Sequence, residues 1–525
     1  MKKLFKIYFT ILLVLGAVSS CTDLSEDLYS EILQDNFFQT QEEVISAIAP
    51  VYGNMRVFTN DMWDLNTHCT DQTLIPTRAL GHWYDGGHWQ RVHEHTWTPE
   101  TPQINGAWGF NYTLINNANK VIYQLESLQN MDADLKALFA AELKMIRGFG
   151  YYNLIDFFGN VPKVTSWVVE DETPPNTPRA DVFNFIVNDV ETNVENLSDK
   201  VDNTTYGRFN KYAGYAMLAK FYLNSQEWTG TAKWDKVIEY CDKIISSGKY
   251  SLSANIFDNF LIKNEGSKEN IFVIPYDEVY TNAWGTNFTV FWRGMHYAHQ
   301  YTYGTSMGPW NGFCALPGFI HSFDNEDKRA AGWFSGQQYS STGEELKCSQ
   351  ESNGKLLNLT IDFTNIYNPT DGVVYNHQLA LEFMGARFAK YQYGPIQGVS
   401  MGNDFVVYRY ADILMMKAEA LMRKNGGIAT AETVGLVNQV RARSVTNPAK
   451  LYTTATLTAD ALLAERGWEF YGEAMRRNDL IRFGKFIKGT WEFANRSAET
   501  PIRKLFPIPQ PQIAANPDLT QNPGY

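Results

Sequence analysis

The segment LLAERGWEFYGEAMRRNDLIRFGKF, residues 462–486, alternates acidic and basic side chains at helical spacing. Opposite charges recur one helical turn apart at Glu465, Arg466, Glu469, Glu473, Arg476 and Asp479. Side chains three or four positions apart are neighbours on a helix, so this pattern is typical of a salt-bridged helix or a helix–helix joint. We therefore interpret these residues as scaffold and do not expect the acids to be catalytic.

Outward from this segment, apolar residues recur with a helical period in two blocks of the chain. The predicted helices of the first block lie at 108–128, 134–158, 181–197, 211–224 and 231–247, and those of the second at 408–422, 430–443 and 457–470. The segment KYAGYAMLAKFYLN, residues 211–224, alternates small and large apolar residues, as packed helix pairs do in tetratricopeptide arrays. No strict repeat is visible. The periodicity predicts a mainly α protein with degenerate helix pairs.

The region between the blocks, residues 250–405, loses the helical period and is rich in Gly, Asn, Ser and Tyr. It has short strand-like runs such as NIFVIPY, residues 270–276. Between residues 280 and 334, 14 of 55 residues are aromatic, about twice the average of the chain. This composition predicts a loop-rich half with short strands.

The charge of the chain argues against nucleic acid as a partner. The formal net charge is −12, and Lys and Arg form no run after the N-terminal segment. A phosphate-binding protein needs a basic surface to release counterions from the nucleic acid.

The N-terminus has the pattern of an exported protein. MKKLFK is basic and residues 7–18 are apolar, which is typical of a signal peptide and too short for a membrane span. VSSC, residues 18–21, resembles a lipobox, where a bacterial lipoprotein is cleaved and acylated. We predict a signal peptide at 1–20, lipidation of Cys21 and a polar tether at 21–40, although an ordinary secretory peptide stays open. Each buried methylene of an acyl chain contributes roughly 0.8 kcal/mol to membrane binding.

Four further cysteines, at positions 69, 241, 314 and 348, are widely spaced. They allow three disulfide connectivities, and their spacing favours none of them. No C-x-x-C motif is present, which argues against structural zinc and thioredoxin-like redox chemistry.

Several segments of the mature chain carry specific motifs. They are RYADILMMKAEALMR at 409–423, the segment at 462–486, KLFPIPQPQIAANPDLTQNPGY at 504–525, AWGFNYTLINNANKVI at 107–122 and RGFGYYNLIDFFGNVP at 147–162. Together with the lipobox, these segments resemble the SusD/RagB family of outer-membrane, nutrient-binding lipoproteins. The resemblance covers almost the whole mature chain, and its C-terminal motifs are the most specific.

The resemblance implies a single SusD-like domain over residues 41–525. In it, helix pairs of tetratricopeptide type, mainly at 103–247 and 405–490, scaffold a loop-rich binding region, mainly at 60–100 and 250–404. It further implies a lipid-anchored protein exposed at the surface of the outer membrane. Its expected partner is a SusC-like, TonB-dependent barrel, on which the protein sits as a hinged lid.

The stretch LGHWYDGGHWQRVHEHTW, residues 80–97, holds three tryptophans and four histidines. His93 and His95, with His82 and His88 nearby, offer imidazole ligands. Zinc sites, however, take three or four ligands at set spacing on rigid elements, and no H-E-x-x-H motif is present. We favour histidines that hydrogen-bond within a packed loop, and we predict no metal and no cofactor. Bound calcium is not readable from the sequence.

A hydrolase is the enzyme alternative. GTSMG, residues 304–308, matches the G-x-S-x-G pattern of a nucleophile elbow, which needs a strand before it and a helix after it. The following Pro-Trp-Asn-Gly is typical of a loop. A glycosidase needs two carboxylates across a sugar, and none of the 57 acidic residues stands out as such a pair. We therefore predict a protein that is not an enzyme.

A platform for a sugar explains the aromatic loops better. Pyranose rings have a C–H face that stacks on Trp and Tyr, and their hydroxyls pair with planar polar side chains. Gly86 and Gly87 permit a tight turn. The family resemblance implies an Asp, an Arg and then a Trp in this N-terminal loop, with more aromatics in the middle region. The predicted ligand-binding residues are Asp71, Arg78, Trp83, Tyr84, Trp89, Trp284, Trp292 and Trp310.

Tryptophan is highly buried on average, so we expect about half of these indoles to belong to the core. The prediction is a non-catalytic surface lipoprotein that captures an oligosaccharide or polysaccharide and delivers it to the SusC-like transporter. Peptide capture by the same architecture is the alternative, which a groove of exposed strand edges would favour. A secreted hydrolase and a purely structural role also stay open.

Overall fold

The computed structural model describes residues 41–129, 131–168, 171–349, 354–362, 380–396, 398–489, 492–493 and 500–525. The contacts reported below lie within Ser46–Tyr525, which forms one compact unit. The predicted signal peptide, Cys21 and the tether at 21–40 lie outside the described residues.

Helices dominate the described residues, and the predicted mainly α architecture with short strands is confirmed. The helices are α1 (Gln41–Asn54), α2 (Asp61–Thr67), α3 (His88–Glu94), α4 (Pro102–Ser127), α5 (Ala133–Phe158), α6 (Arg179–Glu191), α7 (Lys211–Leu223), α8 (Ser225–Thr229), α9 (Trp234–Ser247), α10 (Val290–Gly294), α11 (Gln300–Tyr303), α12 (Pro317–His321), α13 (Tyr410–Lys424), α14 (Ala431–Arg441), α15 (Ala459–Phe470), α16 (Arg476–Arg482) and α17 (Gln510–Ala515). In the described parts of the chain, every helix is too short or too polar to cross a membrane.

Local signals determine where the long helices begin and end. The carboxylate of Asp132 accepts a 2.9 Å hydrogen bond from the backbone N–H of Leu135, which caps the first turn of α5. Gly159, with a φ of +73°, ends the same helix. The predicted helix at 231–247 begins three residues later than expected, because Gly230 in a left-handed conformation ends the short helix α8 just before it.

Consecutive long helices pack in pairs, as the sequence pattern predicts. Helix α4 packs on α5, α7 on α9, and α13 on both α9 and α14. Gly150 permits the close approach of the first pair, because a Cβ there would lie 3.0 Å from Ile115 Cγ1 and 3.1 Å from the carbonyl of Asn111. The α13–α14 pair buries an apolar cluster that includes Leu414, Met415 and Val437.

The strands of the described residues are short, and all of them pair in two-stranded antiparallel sheets. The pairs are β1 (Thr73–Leu74) with β5 (Cys314–Ala315), β2 (Val161–Pro162) with β3 (Asn176–Thr177), β4 (Asn270–Ile274) with β10 (Phe405–Arg409), β6 (Trp333–Phe334) with β9 (Arg387–Phe388), and β7 (Gly336–Gln337) with β8 (Asn358–Leu359). The β4–β10 sheet is fully buried and leads into α13.

The charged segment at 462–486 forms a buried helix–helix joint, as its spacing predicts. Arg409, at the end of β10, donates 2.7 Å hydrogen bonds to Glu269, Glu469 and Glu473. Burial alone would raise the pKa of Glu469, but the guanidinium groups of Arg443, Arg409 and Arg329 outweigh it and hold the pKa well below its ordinary value. The joint therefore depends on ionised carboxylates.

A second buried cluster ties the same segment to α13. Arg466 donates to Asp479 at 2.8 Å and to Asp412 at 3.0 Å. Arg482 donates to Glu419 at 2.8 Å and to Asp479 at 2.7 Å. Removing one partner of a buried pair leaves an uncompensated charge and costs about 3–5 kcal/mol. These buried pairs connect the segment at 462–486 to α13 and act as scaffold.

The four cysteines at 69, 241, 314 and 348 are buried, and none of them forms a disulfide in the described residues. The thiol of Cys69 donates to the carbonyl of Leu65 at 2.7 Å. Burial is the largest cause that raises the pKa of the Cys241 thiol, so this side chain acts as a small apolar residue.

Candidate ligand-binding site

The loop at 275–289, between β4 and α10, holds Trp284 in solvent with 78% of its surface exposed. Its backbone is fixed from two sides. The Asn60 side chain donates a 2.7 Å hydrogen bond to the carbonyl of Gly285, and the Asn282 side chain accepts from the backbone N–H groups of Val399 and Ser400. A large exposed indole on a restrained loop pays little conformational entropy when a ligand stacks on it.

Trp310 lies beside Trp284 and is partly exposed. The two ring centroids are 5.8 Å apart, and the ring planes are inclined by 38°. The backbone N–H of Trp310 donates to the carbonyl of Trp292 at 2.6 Å, and that of Asn311 donates to Met295 at 2.8 Å. These bonds attach the loop of Trp310 to α10 and the residue that follows it.

The third indole, Trp83, comes from the loop at 78–87. Its Nε1 donates a 2.7 Å hydrogen bond to the carbonyl of Trp310, and its ring lies against Gly312, where a Cβ would be only 2.7 Å away. Leu80, Trp83 and Asp85 all have φ between +44° and +66°, a backbone conformation that is rare for residues other than glycine. Such strain clusters at functional sites, where the surrounding structure enforces it.

We name Trp83, Trp284 and Trp310 the aromatic platform. Tyr84 follows Trp83 in the same loop and is 55% exposed. The sequence predicted all four residues as ligand-binding, and the structure brings Trp83 to the loop of Trp310, 227 positions away, and Trp310 beside Trp284.

Arg78 was predicted to contact the ligand, but the structure places it under the platform. It is 1% exposed. Its guanidinium donates to the carbonyls of Asn311, Gly312, Leu381 and Met384 at 2.8–3.2 Å. A planar fork of five donors suits this task. Arg78 therefore supports the loop that carries Trp310.

Arg387 is a second buried guanidinium at the same place, and the sequence analysis did not single it out. It donates to the Asn311 side chain at 2.6 Å and to the carbonyls of Glu382, Met384 and Gly385 at 2.6–2.8 Å. Burial, and next the neighbouring Arg78, lower its pKa to about 9. Together the two arginines connect residues 311–312 to residues 381–385.

The remaining predicted residues do not face the platform. Trp292 is completely buried in α10, and Trp89 is 8% exposed with its Nε1 bonded to Asp85. Asp71 forms a two-pronged ion pair with Arg476 at 2.7 Å. Trp292 and Asp71 belong to the packing of the scaffold and are not part of the proposed site. Trp89 supports Trp83, whose ring centroid is 6.1 Å from its own.

Tyr280 is an exposed aromatic beside Trp284 in the chain that the predicted set of ligand-binding residues did not include. It lies in the loop of Trp284 and is 88% exposed. The carboxylate of Asp277 accepts hydrogen bonds from the backbone N–H groups of Val279 and Tyr280, which fixes this turn. The signal that could have found it is the dense aromatic run that begins at this residue.

Two of the histidines of residues 80–97 make hydrogen bonds to main-chain carbonyls. The ring of His93 bonds to the carbonyl of Glu492 at 2.9 Å, and that of His95 bonds to Cys69 at 2.8 Å. Both rings are buried, whereas His82 is exposed. His93 and His95 therefore act as hydrogen-bonding groups within a packed loop. The absence of a metal at these histidines stays a prediction.

Another group of metal-ligating atoms, at His296, Cys348 and Glu382, falls within 4.8 Å. Nδ1 of His296 accepts from the backbone N–H of Ala298, so the ring proton is on Nε2, which donates to Glu382 at 3.1 Å. A metal bound at Nε2 would move the ring proton to Nδ1. Nδ1 could then no longer accept the hydrogen bond from the backbone N–H of Ala298. The arrangement fits a neutral histidine paired with a carboxylate, and the absence of a metal stays a prediction.

The GTSMG segment does not form a nucleophile elbow. It follows the helix α11 and continues into a loop, whereas the elbow needs a strand before the serine and a helix after it. The backbone N–H of Thr305 donates to Gln300, and its hydroxyl donates to Met307. The segment is a turn at the edge of the loop that carries Trp310.

Sequence comparison matches residues 246–525, more than half of the chain, to the model described as the SusD family. The chain belongs to the SusD family. Residues 24–223 match a second model, described as starch-binding associating with outer membrane. The predicted resemblance is therefore confirmed over both helical blocks and the loop-rich middle.

Relatives of this SusD-family chain match it over most of their length. SusD-like protein P2 of Formosa agariphila is 24% identical, and the match covers 100% of this chain and 100% of the relative. The starch-binding protein SusD of Bacteroides thetaiotaomicron is 23% identical, over 86% of this chain and 84% of its own.

Solved structures share the fold. A laminarin-binding SusD-like protein has a TM-score of 0.71 at 22% identity and covers 93% of this chain and 100% of its own. Surface glycan-binding protein A from Bacteroides thetaiotaomicron, in complex with laminarihexaose, has a TM-score of 0.70 at 20% identity, over 92% and 99%. At this identity the similarity to solved structures establishes only the fold of the SusD-family chain.

Proposed function

We propose that this protein is a non-catalytic, cell-surface lipoprotein that captures an oligosaccharide or polysaccharide through the aromatic platform. The observation that carries the proposal is the pair of neighbouring indoles, Trp284 and Trp310, at 5.8 Å. Indole faces attract the C–H faces of sugar rings, and a water-exposed indole gains from such a contact because apolar surface is buried on both sides.

The inclination of the two rings favours a particular ligand shape. Planes inclined by 38° cannot both lie flat against a straight ribbon of sugars. A chain that turns between successive sugars can stack on both. The platform therefore suits a curved glycan, such as an α-linked glucan or a β-1,3-glucan, better than a flat β-1,4-linked chain.

Polar groups near the platform supply partners for sugar hydroxyls. The exposed loop at 80–87 contributes His82 and Asp85, and Arg91 follows it with its Nη1 bonded to Gly86 at 2.9 Å. Carboxylates accept from hydroxyls, guanidinium groups donate to them, and imidazole can do either. The names of the relatives, which include starch-binding and laminarin-binding proteins, support the same ligand class.

Delivery to a membrane transporter extends the proposal. The lipobox-like VSSC segment supports a lipid anchor at Cys21, and the SusD-family assignment supports an outer-membrane location. We propose a SusC-like, TonB-dependent barrel as the partner that receives the glycan. Affinity purification of the tagged protein from its own outer membrane tests this point, and recovery of the protein without any barrel would contradict it.

Calorimetric titration tests the glycan proposal directly. The purified protein is titrated with starch, laminarin, a soluble β-1,4-glucan and a mixture of peptides. Trp284→Ala is measured beside Trp167→Ala, which removes another indole that is 46% exposed and lies outside the platform. We expect a curved glycan to bind, the first variant to bind about tenfold more weakly or worse, and the second to bind normally.

The other outcomes are equally informative. Heat from peptides with none from any glycan would overturn the glycan proposal in favour of peptide capture. Glycan binding that is unchanged in Trp284→Ala would overturn the platform as its site. Release of reducing sugar ends by the purified protein would show that it is an enzyme.

A further inference from the structure

An open cavity of about 470 Å³ lies apart from the aromatic platform, between α7, α9 and the start of β4. Three segments form its walls: the turn at 201–210, the residues after α9 at 248–251, and the loop at 265–273. Sites for small molecules commonly measure roughly 300–1,000 Å³. The cavity is therefore large enough for a ligand of one or two sugar units.

Four charged side chains line the cavity without an ion pair among the described residues. They are Asp202, Glu265, Lys249 and Lys268, all exposed. Two acids and two lysines give the cavity no net charge. This balance disfavours an anion or a cation as the ligand. It suits a neutral molecule that both donates and accepts hydrogen bonds, because carboxylates only accept and ammonium groups only donate.

Two tyrosine side chains that line the same cavity are held by their hydroxyl groups. The hydroxyl of Tyr206 donates to Asp404, and the hydroxyl of Tyr250 accepts from the Asn210 side chain at 3.2 Å. With the hydroxyls engaged in this way, the rings are fixed in position. Tyr206 is partly exposed and offers a fixed aromatic ring beside charged and amide side chains, a combination that suits a sugar, whereas Tyr250 is buried in the wall.

The amide of Asn270 adds a polar group to the wall. The residue is 9% exposed, and its Nδ2 donates to the carbonyl of Asn259 at 3.2 Å. Its Oδ1 is buried and has no donor among the described residues. A buried acceptor without a donor is unfavourable, and a rotation of the Asn270 side chain, which lines the cavity, would let this oxygen pair with a ligand hydroxyl.

We propose that this cavity is a second saccharide site, which takes a neutral monosaccharide or disaccharide unit. The inference rests on the proposed function, because it assigns the same ligand class to a separate place. Strand β4 connects the two sites: Asn270, Ile271 and Val273 line the cavity, and the strand continues into the loop that carries Trp284. A long glycan or two separate glycans can thus be held by one protein.

Isothermal titration with maltose, laminaribiose and cellobiose tests the second site. The background is Trp284→Ala, in which the platform is impaired. In this background Ser251→Trp fills the cavity, whereas Ser246→Trp places the same ring on an exposed position of α9 outside it. Thermal unfolding of each variant reports whether it folds. We expect residual disaccharide binding that becomes at least tenfold weaker with the first change and stays the same with the second.

The outcomes separate the two proposals. Trp284→Ala that abolishes all disaccharide binding overturns the cavity site and leaves the platform in place. Equal binding with and without Ser251→Trp also overturns the cavity site. If Trp284→Ala alone leaves binding unchanged and Ser251→Trp abolishes it, the result supports the cavity site and overturns the platform.

Heat from dialanine with none from the sugars overturns the saccharide class. If Ser251→Trp does not fold, Glu265→Gln with Lys268→Met replaces it, and the same outcomes apply.

Discussion

The indole Nε1 of Trp83 donates a hydrogen bond of 2.7 Å to the main-chain carbonyl of Trp310. The two residues come from loops that are 227 positions apart in the chain. This bond fixes Trp83 against the loop that also carries the second indole of the platform. The polar edge of one tryptophan thus positions the loop of the other.

Trp83→Phe keeps an aromatic ring and removes the hydrogen bond. A net hydrogen bond contributes about 1 kcal/mol, so we expect glycan affinity to fall about fivefold through a less ordered Trp310 loop. Titration with the glycan that binds the wild type measures the change. The matched control is Trp468→Phe, which removes a 2.9 Å indole bond to Ser322 elsewhere. Equal losses in both variants would contradict a specific role for the Trp83 bond.

Gly312→Ala tests the contact between the two loops. A Cβ at this position would lie 2.5 Å from the carbonyl of Arg293 and 2.7 Å from the Trp83 ring, so backbone or indole must shift. We expect weaker glycan binding and a lower melting temperature. Gly109→Ala, on the exposed side of α4 with open space around it, is the control. It should bind normally and gain up to about 1 kcal/mol of stability from helix propensity.

The helical scaffold was predictable from the sequence because its signals are local. The period of apolar residues and the alternating charges at 462–486 depend on neighbours within one or two helical turns. The sequence could not show which indoles would face solvent. Trp284 and Trp292 belong to the same aromatic run, yet one is 78% exposed and the other is buried. The difference arises because the second lies on α10, which the rest of the chain covers.

Long-range partners explain the other differences between prediction and structure. Arg78 and Asp71 have the residue types of a sugar site, but their partners lie far away in the chain. Arg78 bonds to carbonyls 233–306 positions away, and Asp71 pairs with Arg476. A sequence window that covers one loop contains none of these partners. Trp83, Trp284 and Trp310 were among the predicted residues, their role in binding stays a prediction, and only the fold could show that they lie side by side.

Arg78→Met separates a supporting role from direct ligand contact. It removes the guanidinium donor from the carbonyls of Asn311, Gly312, Leu381 and Met384, of which the last two keep a second donor, so we expect the free energy of unfolding to fall by roughly 2–4 kcal/mol. Arg78→Lys should not restore stability, because an ammonium group lacks the planar fork. Chemical denaturation measures both variants.

Arg91→Met is the control for this prediction, since that side chain has a single exposed bond to Gly86. Full stability of Arg78→Met combined with lost glycan binding would assign Arg78 to the ligand after all.

The free energy of unfolding should depend on pH in the acid range, because buried carboxylates surround Arg409. Burial raises the pKa of Glu469, but Arg443, Arg409 and Arg329 outweigh it, so the pKa in the folded protein lies below the ordinary value of 4.5. Below about pH 4.5 the unfolded chain binds a proton that the folded chain does not. The stabilisation is therefore present above this pH and is lost as the pH falls toward the folded-state pKa. Melting temperatures between pH 7 and pH 3 measure it.

Glu469→Gln tests the source of this dependence. At pH 7 it removes one counter-charge from Arg409, Arg443 and Arg329, each of which keeps another buried carboxylate, so we expect a loss of about 3 kcal/mol, the lower end of the cost of breaking a buried pair. Below about pH 4.5 its stability should fall less steeply than that of the wild type, because one titrating group has been removed. Glu432→Gln, on an exposed helix surface beside Lys417, should keep both the stability and the slope of the wild type. An unchanged slope in Glu469→Gln would place the acid sensitivity in other carboxylates.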